Sequence, residues 1–341
     1  MRKRWISLAL VAAMTIVLAL VAALLRGGHA SAAPKAGFTA CLVTDIGGLN
    51  DHGFNHLAFL GLQEAEKAAH ITGNVFQSKS AADYIPNFQA CVRRGAGITI
   101  GIGFNMQDAM NSIAKAFPKN KFAIVDVDVT GLKNKPKNVE GLLFREQQAG
   151  YLVGYAAGLW AKSHGGKVVG SIGGQKIPPV DRYIAGFQFG AKKSDPGIQT
   201  LNAYSQDFVN QAKCKEAALN QIAQGADVVF QVAGGCGLGV LDAAHEKNVL
   251  GIGVDADQGY LGPWVMTSAL KKVDIAVSTS IEQAKNGKLK GGVNVQYGAN
   301  INGVGYGNWS SKIPASIKSA VAAQFKLLKA GKIRGIPTTV K

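Results

Sequence analysis

The sequence of 341 residues lacks the short motifs that mark several common classes of enzyme. It has no G-x-S-x-G nucleophile turn, no P-loop, no H-E-x-x-H zinc motif and no C-x-x-C pair. His52 and His56 have a spacing that could hold a metal on a helix, but Gly53 weakens that helix. We therefore expect a protein that is not an enzyme and that uses neither a metal nor a cofactor.

Long apolar runs are also scarce, since only Ile6–Leu25 is long enough to cross a bilayer. Arg2 to Arg4 precede this run, and the small residues Ala30-Ser31-Ala32 follow it, as in a secretory signal. A lipid-anchored protein would carry a cysteine just after the run, whereas the nearest one, Cys41, falls inside a predicted strand. The pattern predicts an exported protein, periplasmic or extracellular and associated with the cell surface. Residues 1–33 are its signal peptide, with an uncleaved membrane anchor as the alternative.

Acidic residues are few, with 21 Asp and Glu against 37 Lys and Arg, which gives a formal net charge of +16. Residues 1–33 hold four of the basic residues and no acidic one, so the rest of the chain still carries +12. Such a charge can indicate nucleic-acid binding. However, the densest basic runs, Lys133–Lys137 and Lys285–Lys290, are interrupted by Gly, Asn, Leu and Pro. We expect solvated basic faces that are attracted to an anionic cell surface, and no nucleic-acid partner.

The four cysteines match no zinc signature, and in an exported protein they can form disulfides. Three pairings are possible. The predicted arrangement of strands and helices favours Cys41 with Cys91 and Cys214 with Cys236, and free buried thiols are the alternative.

Beyond residue 33 the chain alternates short apolar runs with helical stretches. Candidate strands are Phe38–Val43, Ile71–Phe76, Ile98–Ile102, Lys121–Val127, Val139–Phe144, Lys167–Ile172, Thr200–Tyr204, Val228–Val232, Leu250–Val254 and Val265–Ala269. Candidate helices are Asn55–His70, Gln147–Lys162, Ala212–Gln224, Leu238–Lys247, Val273–Asn286 and Ser316–Ala330. Most of the strands are continuously apolar, as expected of parallel strands that are buried on both faces.

About ten strands would make a wide single sheet, so two sheets are expected. The strand pattern breaks after Phe144, again near Val265–Lys271 and again in the Gly- and Asn-rich stretch Gly291–Val304. These three breaks predict an α/β protein whose two lobes are joined by a three-segment hinge. The predicted N-terminal lobe comprises residues 37–146 and 264–296, and the predicted C-terminal lobe comprises 147–263 and 297–341.

Polar side chains cluster where the first predicted strand gives way to a helix. The stretch Thr44–Asn55 contains two aspartates, two asparagines and the aromatic Phe54. Ligands of open α/β sheets bind beyond the carboxyl ends of the strands. A helix cap by Asn50 or Asp51 would explain one of these residues, but not an aromatic residue at a helix start. The stretch therefore predicts a binding site, with turn and cap chemistry as the alternative.

Two further strand ends carry signals of a ligand site. Gly234–Gly239 opens a helix, but its spacing departs from the dinucleotide-binding fingerprint, so we expect only a close approach of backbone N–H groups to some ligand. Asp255 ends the next strand, where a carboxylate can accept two hydroxyl hydrogen bonds from a sugar diol. Asp126 and Asp128 end an earlier strand in the same way, and Asp128 is expected to serve its turn.

Six stretches of the sequence, taken in order, resemble one known family. They are Leu42–Asn55, Gly141–Glu146, Ala149–Leu152, Phe230–Gly235, Gly253–Gln258 and Ser268–Asp274. Together they are similar to the basic membrane protein family, the purine-nucleoside receptor-like substrate-binding proteins of ABC transporters. The resemblance implies a type 1 periplasmic-binding-protein fold, in which two Rossmann-like lobes close on a purine nucleoside. It also implies a monomer that delivers this ligand to an ABC permease.

The resemblance implies how the base would be held. Phe54 and Phe208 match the two aromatic residues that stack on a purine from opposite lobes. Asp45 and Asp51 match polar positions near the edge of the base, and Asn55 belongs to the same motif. Stacking of this kind contributes on the order of 1–3 kcal/mol for each pair of base and aromatic ring.

The resemblance also implies the contacts to the sugar. Asp255 matches the ribose-binding carboxylate, Lys271 matches the lysine beside it, and Gly234 and Gly235 match backbone contacts. With Lys271 nearby, Asp255 is expected to stay ionised and to accept both ribose hydroxyls.

The sequence departs from the family at one position that bears on the site. Asn210-Gln211 stands where the family usually has Asp-Pro after the second aromatic residue, which is expected to loosen the loop that carries Phe208. Two alternatives stay open. The fold could bind another small ligand, such as a sugar or a signalling molecule, or the protein could be an exported nucleoside-processing enzyme that uses Asp45 with Asp51.

Overall fold

A computed structural model describes residues 37–340, so the predicted signal peptide lies outside the described part of the chain. The strands are β1 (Thr39–Thr44), β2 (Thr72–Phe76), β3 (Ile98–Ile102), β4 (Phe122–Val125), β5 (Val139–Phe144), β6 (Val168–Gly173), β7 (Gln199–Tyr204), β8 (Ala226–Val232), β9 (Leu250–Asp255), β10 (Val265–Lys271), β11 (Val293–Tyr297) and β12 (Val304–Tyr306). The helices are α1 (Phe54–Ala69), α2 (Tyr84–Arg93), α3 (Gln107–Ala116), α4 (Glu146–Ser163), α5 (Pro178–Ser194), α6 (Gln211–Ala223), α7 (Leu238–Glu246), α8 (Val273–Lys285) and α9 (Ala315–Lys329). Among residues 37–340, no helix is both long and apolar enough to span a membrane.

The strands form two six-stranded sheets, and the predicted two-sheet α/β architecture is confirmed. The first sheet has the order β11-β5-β4-β3-β1-β2, and all of its neighbouring strands are parallel. The second has the equivalent order β12-β10-β9-β8-β6-β7, and only β12 runs antiparallel to its neighbour β10. The central strands are buried on both faces: Ala40 and Leu42 of β1 belong to one apolar cluster, while Cys41 and Val43 belong to another.

The order of strands corrects one predicted lobe boundary. Residues 264–271 were expected in the first lobe, but β10 pairs with β9 and β12 in the second sheet. The chain returns towards the first sheet only after Lys271, where α8 packs against α1. Sequence could not distinguish the two because β10 is a continuously apolar strand that would fit the interior of either sheet.

Helices α4 and α5 pack so closely that glycine is needed at their contact. A Cβ on Gly150 would lie 2.1 Å from the carbonyl oxygen of Tyr183, and a Cβ on Gly186 would lie 2.2 Å from that of Gln147. Both approaches are well inside van der Waals contact. The close packing fixes the first turn of α4 against the face of α5 that carries Arg182 and Tyr183, two residues of the site described below.

Two disulfides link neighbouring elements within the lobes. Cys41 of β1 is joined to Cys91 of α2, and Cys214 of α6 is joined to Cys236 in the turn before α7. These are the two pairs that the sequence favours. The second pair ties α6 to the glycine-rich turn, so it holds two segments next to Phe208.

Candidate ligand-binding site

A cleft lies at the carboxyl ends of the strands of both sheets, the position in which open α/β sheets bind ligands. Its walls are formed by Asp45, Gly47, Asp51, Phe54, Asn55, Gly103, Phe104, Asn105, Asp126, Ile177, Pro179, Val180, Tyr183, Phe208, Val232, Gly234, Asp255 and Lys271. The cleft therefore draws on the ends of β1, β3, β4, β8, β9 and β10.

The structure brings eight of the nine predicted ligand contacts into this cleft. They are Asp45, Asp51, Phe54, Asn55, Phe208, Gly234, Asp255 and Lys271. Gly235 is not among the lining residues, and a Cβ at this position would lie 3.4 Å from the carbonyl oxygen of Phe208. Their roles in binding stay a prediction, while their convergence from five strand ends is a property of the fold.

Asp45 and Asn55 form one polar corner of the cleft. The Asn55 amide donates to Asp45 Oδ1 at 2.8 Å and to Asp51 Oδ2 at 3.0 Å, and Gly47 N–H donates to Asp45 Oδ1 at 2.9 Å. Burial raises the pKa of Asp45 to about 6, although the bonds from Asn55 and Gly47 act in the opposite direction. The carboxyl of Asp45 is therefore largely ionised at pH 7.5.

Asp51 is occupied by the chain itself. Its two oxygens accept hydrogen bonds from the backbone N–H groups of Gly53, Asn55 and His56 and from the Asn55 side chain, at 2.7–3.1 Å. These are the bonds of a carboxylate that caps the start of α1. Asp51 thus lines the cleft, but its oxygens are bound to the start of α1 and to the Asn55 side chain. This is the helix cap that the sequence analysis gave as the alternative to a binding site.

Each lobe supplies the same short motif to the cleft, Val-Asp-x-Asp. Asp126 follows β4, Asp255 ends β9, and these two strands hold equivalent positions in the two sheets. Both residues have left-handed backbone conformations, with φ of 71° for Asp126 and 61° for Asp255. Such strain in residues other than glycine is concentrated at functional sites. The second aspartate of each motif serves its turn: Asp128 accepts from Thr130, as expected, and Asp257 accepts from Gly259.

Lys271 neutralises Asp126 and not Asp255. Its Nζ lies 2.7 Å from both oxygens of Asp126 and 3.1 Å from Oε1 of Glu146, whose Oε2 accepts a 2.6 Å bond from Arg182 Nε. Burial of Lys271 favours its neutral form, but the carboxylates of Asp126, Glu146 and Asp255 outweigh burial and raise the pKa of Lys271 above its usual value. The buried lysine therefore stays charged.

Near neutral pH Asp255 is only partly ionised, whereas it was expected to stay ionised. Burial raises the pKa of Asp255 to about 7, and the attraction of Lys271 only partly offsets it. The lysine is bound to Asp126 instead. Tyr183 donates to Asp255 Oδ1 at 3.1 Å, and burial holds the pKa of Tyr183 well above its ordinary value, so the hydroxyl remains a donor.

The loop that carries Phe208 is held firmly, contrary to the expectation from Asn210-Gln211. The Asp207 side chain accepts from Val209 N–H and Asn210 N–H at 2.9 and 3.0 Å, and Cys236 N–H donates to the Phe208 carbonyl at 3.0 Å. Asn210 itself caps α6 by accepting from Ala212 N–H. The side chains of Asp207 and Asn210 thus supply the turn and the cap without a proline.

Gly174 leaves the space in which the Phe208 ring lies. A Cβ at Gly174 would be 2.3 Å from one ring carbon of Phe208 and 2.5 Å from another. We expect Gly174→Val to displace this ring and to weaken ligand binding about 10-fold or more, the contribution of one stacked ring. Calorimetric titration of the variant would measure this loss, and Gly197→Val, at an open position, is the matched control. Unchanged affinity in Gly174→Val would show that Phe208 makes no contact with the ligand.

Sequence reasoning missed several residues of the site. Glu146, Arg182 and Tyr183 were not predicted to contribute, and Asp126 was noted only as a strand end. Glu146 was visible within the family-like stretch Gly141–Glu146. Arg182 and Tyr183 carried no signal, because they lie on α5, a helix that the sequence did not predict.

Comparison with known proteins agrees with this architecture. The family described as ABC transporter substrate-binding protein PnrA-like matches residues 38–332. A CD4+ T-cell-stimulating antigen of Listeria monocytogenes is 35% identical over 306 residues, covering 83% of this chain and 84% of its own. The ABC transporter nucleoside-binding protein BmpA of Lactococcus lactis is 36% identical over 310 residues, covering 84% and 86%. A crystal structure of an ABC transporter solute-binding protein from Aeropyrum pernix shares the fold, with a TM-score of 0.79 at 24% identity over 88% of this chain and 94% of that one.

Proposed function

Because the chain belongs to the family of PnrA-like substrate-binding proteins of ABC transporters, which work with a membrane permease on a small-molecule ligand, we propose that this ligand is a purine nucleoside. The nucleoside would be captured outside the cytoplasm and delivered to the permease for import. We further propose that the N-terminal residues 1–33 direct export, and that the cleft binds its ligand without turnover.

The observation that carries the proposal is the pair of phenylalanines in one cleft. Phe54 begins α1 beyond the first sheet, and Phe208 lies in the loop after β7 of the second, so the rings come from opposite lobes. A flat, apolar-faced ligand fits between two such rings, and stacking on either would contribute about 1–3 kcal/mol. A plain sugar has no flat face of this size to present.

The carboxyl groups of the cleft suit a ribose. Asp255 and Asp126 bring carboxyl groups from the two lobes. Tyr183 donates to Asp255, and Lys271 neutralises Asp126. A diol donates two hydrogen bonds, so it favours the ionised form of Asp255. Binding would therefore draw the carboxyl of Asp255 towards ionisation and would bridge the two lobes.

The description of one relative supports a nucleoside as the ligand. The Lactococcus lactis protein is described as nucleoside-binding, and it covers most of this chain at 36% identity. The two phenylalanines favour a ligand with a flat ring over the alternative ligands, a sugar or a signalling molecule. An exported hydrolase that uses Asp45 with Asp51 is disfavoured because the Asp51 oxygens are taken by α1.

Thermal unfolding of residues 34–341 against a panel of nucleosides, free bases and sugars tests the proposal. A nucleoside at about 100 times its Kd should stabilise the protein by about 2.7 kcal/mol. We expect the midpoint to rise with purine nucleosides in the wild type and to rise much less in Phe208→Ala, with no conversion of inosine during the assay. A rise with sugars alone, or release of hypoxanthine from inosine, would contradict the proposal.

A further inference from the structure

A second pocket lies where the chain crosses between the two sheets, and it shares no lining residue with the cleft. Arg145 stands between β5 of the first sheet and α4, which packs against the second sheet. Asn300 stands between β11 of the first sheet and β12 of the second. Residues 331–336, which follow α9, complete the wall. The pocket therefore joins two of the three crossings to the C-terminal stretch of the chain.

The charged side chains that line this pocket are all basic. They are Arg145, Lys329 and Arg334, all three are exposed, and no carboxylate is among the lining residues. Among residues 37–340 none of the three forms an ion pair, and Lys329 and Arg334 each donate one hydrogen bond to a neutral oxygen. Glu146 follows Arg145 in sequence, but it is fully buried and lies 3.1 Å from Lys271. Most N–H donors of the three cations are therefore free to bind an anion.

Gln148 adds a buried donor whose orientation is fixed by the backbone. The side chain is 9% exposed, and its Oε1 accepts from Ala299 N–H at 2.8 Å. Because the oxygen is bound there, the amide nitrogen points away from Ala299, and it has no hydrogen-bond partner in the described part of the chain. Such a donor costs free energy unless an acceptor reaches it. Gln148 lines the pocket, which is where an acceptor can approach.

From this arrangement we propose that the pocket binds the phosphate group of an organic phosphate ester. Guanidinium groups bind phosphate oxygens through two parallel hydrogen bonds, and a lysine adds a compact positive charge. Leu328, Ile333 and Ile336 line the same pocket and would contact the carbon part of the ester. The source of the ester is either a soluble molecule, such as glycerol 3-phosphate, or the headgroup of an anionic phospholipid.

A bound phosphate would fasten the C-terminal stretch to the crossings. The two crossings are already joined, because Arg145 N–H donates to the Tyr297 carbonyl at 3.0 Å. Residues 331–336 have no regular secondary structure, and only Ile333 and Ile336 among them are half-buried. We therefore expect glycerol 3-phosphate to slow amide hydrogen exchange in residues 331–336. Exchange that slows only around the cleft would place the ligand there and contradict the proposal.

Isothermal titration at pH 7.5 with glycerol 3-phosphate, inorganic phosphate and acetate tests the chemistry of the pocket. We expect glycerol 3-phosphate to bind one-to-one, inorganic phosphate to bind more weakly, and acetate not to bind. The Arg145→Gln/Arg334→Gln variant should lose about 100-fold in affinity for glycerol 3-phosphate, about 10-fold for each guanidinium. Acetate that binds as tightly as glycerol 3-phosphate would contradict phosphate recognition.

A matched control removes the same charge elsewhere. Lys326 on α9 and Lys332 after it are exposed, and neither lines the pocket. We expect the Lys326→Gln/Lys332→Gln variant to bind glycerol 3-phosphate as the wild type does. Equal affinities in this control and in Arg145→Gln/Arg334→Gln would overturn the proposal, because the overall charge and not the pocket would then decide binding.

The Gln148→Glu variant tests the buried donor. A glutamate keeps an oxygen that accepts from Ala299 N–H, and it replaces the free amide by a second carboxylate oxygen. We expect glycerol 3-phosphate to bind at least about 10-fold more weakly, since a donor is lost and a like charge is introduced. Thermal unfolding without ligand would show that the variant is folded. A folded variant with wild-type affinity would contradict the role of Gln148.

Flotation with phosphatidylcholine vesicles, with and without phosphatidylglycerol, separates the two sources of the phosphate. If the ligand is a lipid headgroup, Arg145→Gln/Arg334→Gln should bind phosphatidylglycerol vesicles less than the lysine control does. If it is a soluble ester, the two variants should float equally and differ only in their affinity for glycerol 3-phosphate. Either result supports the phosphate pocket. Variants that do not differ in titration or in flotation would overturn it, whichever ligand occupies the cleft.

Discussion

Replacement of Lys271 by methionine is expected to lower the free energy of unfolding by about 3–5 kcal/mol, because it leaves buried carboxyl groups without their cation. The side chain is 2% exposed, and its ammonium lies 2.7 Å from Asp126 and 3.1 Å from Glu146. Methionine keeps most of the packing volume and removes the charge together with the hydrogen bonds that it donates to Asp126. Urea denaturation at pH 7.5 would measure the loss.

If the loss of charge causes the destabilisation, the effect of Lys271→Met must depend on pH. Without the lysine, Asp126 must protonate in the folded state, so its pKa rises further above the present value of about 6. The deficit of the variant should therefore shrink as the pH falls towards 5. Lys215→Met replaces a partly exposed lysine that pairs with Asp242 and Glu246, and it should change the free energy of unfolding little. A deficit that is the same at pH 5 and pH 8 would point to packing instead of charge.

Replacement of Asp255 by asparagine is expected to stabilise the ligand-free protein while it weakens nucleoside binding. The folded-state pKa of Asp255, about 7, is raised above the unfolded value, so its favourable contribution is complete below about pH 4 and is lost as the pH rises through 7. The asparagine side chain does not ionise, so the variant loses no stability at this position as the pH rises. It also keeps the oxygen that accepts from Tyr183, and it tolerates the left-handed backbone at this position.

The magnitudes for Asp255→Asn follow from the same shift. At pH 8 the variant should be more stable than the wild type by roughly 2–4 kcal/mol, and at pH 4.5 the difference should fall to about 1 kcal/mol. Nucleoside affinity should fall about 10- to 100-fold, because an amide accepts from only one of two ribose hydroxyls with full strength. Thermal unfolding across pH and titration at pH 7.5 would measure the two effects. A variant that is less stable at pH 8, or one that binds as tightly as the wild type, would contradict the assignment of Asp255.

Much of the fold could be predicted because most strands are continuous apolar runs, and the ten predicted strands coincide with β1 to β10 within two residues at each end. The missed strands β11 and β12 lie in the Gly- and Asn-rich stretch near Gly291–Val304, where the sequence has no apolar run. Their pairing comes from neighbours that are distant in sequence. Helix α5 was missed because Pro178-Pro179, Gly186 and Gly190 are poor signals of a helix. The prolines begin the helix, and the glycines serve its contact with α4.

The candidate site was predictable where an aromatic or acidic residue stands at the start of a helix or at the end of a strand. Phe54 begins α1, and Asp255 ends β9. The partners of Lys271 could not be predicted, because Asp126 lies 145 residues away in sequence and is brought to the lysine only by the meeting of two sheets. The protonation of Asp255 could not be predicted for the same reason. Both its burial and the pairing of Lys271 with Asp126 depend on how the two sheets meet.

The most direct test of a nucleoside-binding cleft is a crystal structure of residues 34–341 with guanosine. We expect the purine to lie between the rings of Phe54 and Phe208, with the ribose hydroxyls bound to the carboxylate of Asp255. A nucleoside bound away from both phenylalanines, or a cleft that stays without nucleoside at saturating guanosine, inosine and adenosine, would contradict it.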